Sequence, residues 1–311
     1  MVIHYITVNH ILIIYVKNNC KTFFRFKFFC YIYSRIELLS NKKHACMNKL
    51  KGLILLFSFV TTSLLAQEDY RINKTLIGGI TTDIFSQPYK RIFNTYTMGI
   101  GFKNPKITLN VLYNIGQIFE YDISDEPFFT AFENQYEIDF YHQPTKTTSY
   151  WLNYAYSDCP HFPTHRAMGR VWQNLGSGFL ASGGVKYYYF DDNLFTLTSG
   201  LEKYIDRFWV EGKTFIYLKE PDTKLAFQLN SRVFWKDINY AQLTLMTGSA
   251  QDEPWRTPDI LTAHTIRLSV VTFLNEKLQL RANMGYSYEE YSQDLWRSRY
   301  SGGVSMTYYM F

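Results

Sequence analysis

Long apolar runs are missing from this chain. After Ala66 no stretch of 18 apolar residues occurs, so no segment there reads as a helix able to span a bilayer. Membrane residence of that part would have to be as a closed barrel of strands, which satisfies its backbone polar groups internally. Cysteine is nearly as scarce. Three of the four, Cys20, Cys30 and Cys46, lie ahead of residue 47, and Cys159 alone remains behind it. A single thiol closes no internal disulfide, and CxxC spacing for a metal or redox centre is absent. Pro/Gly/Ser linkers, low-complexity tracts and composition breaks are also lacking beyond residue 66, which leaves one large domain.

The catalytic vocabulary is thin. There is no G-x-S-x-G, no H-E-x-x-H and no P-loop. Gly99-x-Gly101 lacks a third glycine and sits in a predicted strand, where packing explains it. His161 and His165 share a predicted loop with Asp158 and Cys159, a concentration that suits a metal or a nucleophile. The H-x-x-x-H spacing offers one face only on a helix, however, and Pro160 and Pro163 forbid one, so a loop packed by prolines and aromatics is the favoured reading. Loop acids (Asp122, Asp125, Glu126; Asp252, Glu253) read as solvated charge ahead of a Ca²⁺ or lipopolysaccharide-bridging site. No catalytic residue, metal or cofactor is expected.

What is present starts at Met47. Lys49 and Lys51 precede an apolar core from Leu53 to Val60, and small and polar residues follow up to Ala66, with cleavage expected between Ala66 and Gln67. That is the layout of a secretory signal over 47–66. The apolar core is too short to anchor, and no Cys follows for lipidation. Residues 1–46, with seven Lys or Arg against Glu37, read as an upstream extension outside the mature protein, Met47 being the initiator; an extended targeting region is the rival. Losing 1–66 removes nine of the 32 basic and one of the 27 acidic residues, which turns a net charge of +5 into one near −3. The basic balance is then no argument for nucleic acid. A short periplasmic segment, 67–74, leads into a barrel domain over 75–311.

The barrel is written in alternation. Leu278, Leu280, Ala282, Met284, Tyr286 and Tyr288 interleave with Gln279, Arg281, Asn283, Gly285, Ser287 and Glu289, and a strand repeats its side chains every two residues. Leu225, Phe227, Leu229 against Gln228, Asn230, Arg232, and Ile266, Leu268, Val270 against Arg267, Ser269, behave alike. Such segments run nine to thirteen residues, matched to a tilted bilayer crossing of about 9–11. They fall at 75–85, 91–102, 106–118, 133–142, 148–157, 165–173, 178–190, 193–204, 207–218, 224–236, 239–250, 262–274, 277–289 and 299–311. The fold class expected is all-β, a transmembrane antiparallel barrel of fourteen strands with twelve as the alternative. Short connections (205–206, 237–238, 275–276) alternate with longer ones (119–132, 157–164, 250–261, 290–298), the habit of periplasmic turns and outer loops. Tyr, Trp and Phe crowd the segment ends, where a ring meets the headgroup level.

Charges facing lipid cost roughly 2–4 kcal/mol at mid-depth, so the charged positions should line the lumen. Glu202, Glu211, Lys213 and Arg232 fall at similar depth on three neighbouring strands, where opposite charges should pair; Arg267 and Arg281 belong to the same polar face. A salt-bridge network filling the barrel and a selectivity constriction both fit such a band. The chain closes on Tyr309 and Phe311, an aromatic ending of the kind read by the outer-membrane insertion machinery. Thr307 and Ser305 are weak for that phase, and the other phase (Val304, Met306, Tyr308) is the more apolar.

From about Thr75 to Phe311 the chain resembles the YaiO family of outer-membrane β-barrel proteins. The resemblance lies in Phe162-Pro163-Thr164-His165-Arg166, Gly183-Gly184-Val185-Lys186-Tyr187-Tyr188-Tyr189-Phe190-Asp191-Asp192, Gly200-Leu201-Glu202-Lys203-Tyr204, Gly285-Tyr286-Ser287-Tyr288-Glu289-Glu290-Tyr291 and Arg297-Ser298-Arg299-Tyr300-Ser301-Gly302-Gly303. It implies a single barrel domain and carries over no catalytic position or substrate. Some relatives place a periplasmic repeat region ahead of the barrel; here that partner would be a separate periplasmic chain of an envelope pathway. The expected partners are thus outer-membrane lipid and lipopolysaccharide, the insertion machinery and such a chain. The functional expectation is a diffusion channel or export conduit for envelope polysaccharide or small polar solutes. A non-conducting structural or adhesion barrel and a lipid- or glycan-modifying barrel enzyme are the alternatives.

Overall fold

The computed structural model describes residues 3–8, 11–16, 73–86, 90–121, 127–190, 192–218, 223–235, 238–249, 262–292 and 294–310. The signal at 47–66, the Ala66/Gln67 junction, most of 67–74, the acids of the 122–126 and 250–261 loops, and Phe311 lie outside these. Ile3–Val8 (β1) and Ile11–Val16 (β2) pair as an antiparallel hairpin in a unit of their own.

The second unit is a closed barrel of fourteen antiparallel strands: Asn73–Phe85 (β3), Arg91–Lys103 (β4), Ile107–Tyr121 (β5), Pro127–His142 (β6), Thr148–Ser157 (β7), His165–Gly176 (β8), Phe179–Tyr189 (β9), Asn193–Ile205 (β10), Phe208–Leu218 (β11), Thr223–Trp235 (β12), Asn239–Gly248 (β13), Thr262–Asn275 (β14), Leu278–Ser292 (β15) and Leu295–Met310 (β16). Each strand pairs with its neighbour in sequence, and β16 closes on β3 from Arg299↔Phe85 to Met310↔Lys74. Closure removes the open edges that lipid cannot satisfy.

Both barrel termini lie at the end of the short connections, here called the turn end. Asp206-Arg207 turns β10 into β11, with Asp206 at φ 52°. Gly178, at φ 76°, is tied to its glycine twice over, because a Cβ there would stand 2.8 Å from the Tyr204 carbonyl oxygen.

At the other end the structure departs from the expected loops. The stretch 119–132 is largely strand, since β5 runs to Tyr121 and β6 begins at Pro127 with Tyr121↔Pro127 paired. Proline is tolerated there because it is the first residue of its strand. The expected 290–298 loop shrinks to 293–294 for the same reason: Glu289↔Arg297 and Glu290↔Trp296 carry the ladder onward. Extending a paired ribbon satisfies backbone groups that a loop would leave to water.

The two faces separate cleanly. Leu197, Leu201, Leu225, Phe227, Leu229, Leu245, Ile266 and Leu268 are exposed on the outside, while Glu202, Glu211, Asn230 and Thr244 between them are buried inside. The last strand takes the more apolar phase to the lipid: Tyr300, Val304, Met306 and Tyr308 are exposed outward. Tyr309 therefore faces inward, paired with Thr75 and stacked 5.8 Å from Phe273.

Candidate functional site

Glu202, Glu211 and Arg232 each stand three residues from the turn-end bound of their strands, and Lys213 lies two positions further in. All four face the lumen, but the acids do not take their cation from this set. Glu202 and Glu211 sit directly opposite one another in register, two like charges on adjacent strands. Their shared partner is Arg170 of β8, whose Nη2 lies 3.1 Å from Glu202 Oε1, donates to Glu211 Oε1 and donates to Ser182 Oγ at 2.6 Å. The indole nitrogens of Trp172 and Trp209 donate to the two oxygens of Glu202 at 2.7 and 3.0 Å, and Asn230 donates to Glu211 at 2.6 Å. Every carboxylate oxygen of the pair thus accepts a hydrogen bond, the condition on which buried charge is tolerated.

Arg232 is held differently. It donates through Nε and Nη2 to Gln242 Oε1 at 3.1 and 2.6 Å, and its guanidinium lies 4.0 Å from the Tyr240 ring centre and 4.4 Å from that of Trp209. Its role there is a cation stacked between rings. Lys213 lies 5.3 Å over Phe215.

Two further ionic groups brace the wall, and the sequence reading did not find them. Toward the loop end, Arg299 joins Asp83 (3.0 Å) and Glu289 (3.2 Å), and Arg297 joins Glu289 at 3.0 Å. Between the two ends, Arg166 pairs with Glu137 at 2.8 Å, and Asn114 and Asn153 donate to the same carboxylate. Asp139 accepts from Trp151 and, at 3.2 Å, from Asn110.

The loop between β7 and β8 folds into the lumen. Phe162 is 1% exposed and meets Phe93 edge to face at 5.7 Å, beside Ile118. Glu133 pins the loop by accepting from the backbone nitrogens of His161 (3.1 Å) and Phe162 (3.2 Å), while His161 Nδ1 lies 2.5 Å away. His165 instead sits on the outer surface against Tyr154 at 2.9 Å, so the two histidines of the H-x-x-x-H spacing serve opposite sides of the wall. Among the described residues no group of three His, Cys, Asp or Glu side chains is placed to hold a metal. Cys159 is half-buried in this loop, and burial pushes its thiol above the usual value.

Facing the ionic wall of β8 to β12 is a wall of small groups. Gly79 and Thr81 of β3, Asn283 of β15, and Gly303 and Ser305 of β16 point inward, and none of them is buried. Arg281 is exposed on this side and, among the described residues, makes no hydrogen bond or ion pair. Arg267 faces inward on β14, opposite Gly285.

No curated protein matches the chain. Among solved structures, a bacterial polysaccharide outer membrane secretin is similar at 9% identity and TM-score 0.46, over 77% of this chain and 98% of that one. An anion-selective porin from Comamonas acidovorans is similar at 11% and 0.40, over 78% and 100%, and the outer membrane channel DcaP of Acinetobacter baumannii at 8% and 0.42, over 78% and 97%. At these identities and scores they carry no argument about what this barrel does. Residues 77–253 match the YaiO membrane beta barrel domain. The match spans more than half of the 311 residues, and the chain belongs to the YaiO family of outer-membrane β-barrel proteins.

Proposed function

We propose that the barrel is a passage for polar solutes across the outer membrane. The reading is carried by one observation: the inward Gly79, Thr81, Asn283, Gly303 and Ser305, midway along their strands, remain partly accessible to solvent although they face away from lipid. Small side chains here confront the bulky Arg170–Glu202–Glu211 group across the lumen, so the ionic wall braces one side while water occupies the other. Fourteen strands suit such an arrangement, lying between small barrels filled by side chains and wide porins. On this account the charged residues around Arg170 are structural, and the path runs along β15, β16 and β3. Its cargo is drawn from small polar solutes or segments of envelope polysaccharide, delivered by a separate periplasmic protein. The outward apolar faces meet lipid and lipopolysaccharide, and the chain end carrying Tyr309 and Phe311 is presented to the insertion machinery.

The test is swelling of liposomes carrying the refolded full-length protein in isosmotic small sugars. Swelling that drops several-fold in Asn283→Trp, which fills the small-residue wall, supports the passage. A folded wild-type barrel that permits no swelling overturns it.

A further inference from the structure

The ionic groups of the lumen are not distributed evenly. Toward the loop end Asp83 and Glu289 are met by Arg297 and Arg299 and Glu120 by Arg91, while Glu133 is held by the His161–Phe162 loop. Toward the turn end the acids Glu202 and Glu211 are 5% and 3% exposed and saturated by Arg170, two indoles and Asn230, and Asp139 of β6 accepts from Trp151 and Asn110. Their charge is spent within the wall. On the accessible side the charges are positive. Arg281 stands three residues inside the turn end on β15, exposed, with no hydrogen bond or ion pair among the described residues. Lys103 ends β4 nearby, 5.7 Å over Tyr309. On β12 and β13 the inward positions carry Arg232 and amides such as Gln228, Asn230 and Gln242, with no acid among the described inward residues.

The rim repeats the sign. Lys106, Lys146, Arg207 and Lys277 are exposed at four different turns of this end, against Asp206 and Glu276 among the described turn residues. Rings of Lys and Arg favour anions through the potential they set in a water-filled mouth walled by low dielectric.

We propose that the turn-end mouth selects anions, so that the solutes passing through this barrel carry carboxylate, phosphate or sulfate groups. The proposal rests on the reading of a water-filled lumen and names the charge of what enters it. Arg281 is the selecting side chain, because it stands in the accessible path with its charge unspent, and the rim lysines collect anions ahead of it. A unit charge about 7 Å from the path in water, screened at about 0.1 M salt, raises anions and lowers cations by somewhat under twofold each, which biases their ratio by about threefold. Removing it should move the permeability ratio by a comparable factor.

The experiment is the zero-current potential of the refolded full chain in planar bilayers under a tenfold KCl gradient, for wild type, Arg281→Ala and Arg281→Lys. The expected result is a chloride preference in wild type that falls about two- to threefold in Arg281→Ala and is kept in Arg281→Lys, with all three proteins showing the heat-modifiable gel mobility of folded barrels. Inorganic phosphate added on the turn side should lower the chloride current of wild type more than that of Arg281→Ala. A folded barrel without conductance overturns the open lumen and the inference with it. A conducting wild type that prefers potassium, or has no preference, overturns the inference alone. An anion preference unmoved by Arg281→Ala overturns the assignment to this side chain.

Discussion

Replacing Arg170 by alanine strikes the best-connected ionic group in the lumen. Its guanidinium bridges Glu202 and Glu211, which face each other across β10 and β11, and their side chains are only 6% and 4% exposed against 14% for Arg170 itself. Without the cation, two carboxylates remain side by side with Trp172, Trp209 and Asn230 as neutral donors. Breaking a buried pair in this way costs about 3–5 kcal/mol, and the repulsion between like charges at an effective dielectric of about 20 is of the same order. Arg170→Lys keeps the charge but shortens the side chain whose single terminal nitrogen, Nη2, reaches both acids and Ser182, so it should recover only part of the loss. The triple change Arg170→Met, Glu202→Gln, Glu211→Gln removes all three charges and should return to within about 1–2 kcal/mol of wild type. Urea unfolding of the barrel in phospholipid vesicles, followed by tryptophan fluorescence and gel mobility, reads all four proteins. An Arg170→Ala barrel as stable as wild type, or a triple variant less stable than Arg170→Ala, would refute the reasoning.

Phe162→Ala should release the inward loop at a cost of about 3 kcal/mol, the low end for a buried aromatic because the loop can retract, and this should show in unfolding titrations. Cys159 should then react faster with an impermeant maleimide on intact cells; in the wild type its reaction should be slow at neutral pH and rise through the alkaline range, since burial raises the thiol and only the thiolate attacks. Labelling that requires a broken outer membrane would invert the topology. Arg232→Ala loses two hydrogen bonds and three ring contacts and should cost about 1–3 kcal/mol by the same unfolding measurement, while shifting conductance toward cations. Deleting residues 1–46 should leave export intact, with N-terminal sequencing of the membrane form reading from close to Gln67.

The strand count was legible because lipid and lumen impose opposite demands on alternate residues, and segments such as Leu278 to Tyr288 show that demand without interruption. Less legible was the length of β5, β6, β15 and β16 beyond the bilayer. There lipid no longer enforces alternation, and the acidic, aromatic composition of 119–132 reads equally as loop. Arg170 was missed although its strand carries the signal: Arg166, Met168, Arg170 and Trp172 alternate with Ala167, Gly169 and Val171. Bringing Arg170 level with Glu202 and Glu211 depends on the stagger between β8, β9 and β10, which alternation within a strand does not encode. Glu133 gave no cue at all, since its partners are backbone nitrogens of a loop distant in sequence. The outward phase of β16 is fixed by its pairing with β3, a contact between the two ends of the barrel domain.

The central claim is that water fills the lumen along β15, β16 and β3. Single-channel recording of the refolded full-length protein in planar bilayers tests it most directly: discrete, long-lived conductance steps in wild type, reduced in Asn283→Trp while folding is retained, are the predicted result. Folded wild-type barrels that insert and give no steps would contradict it.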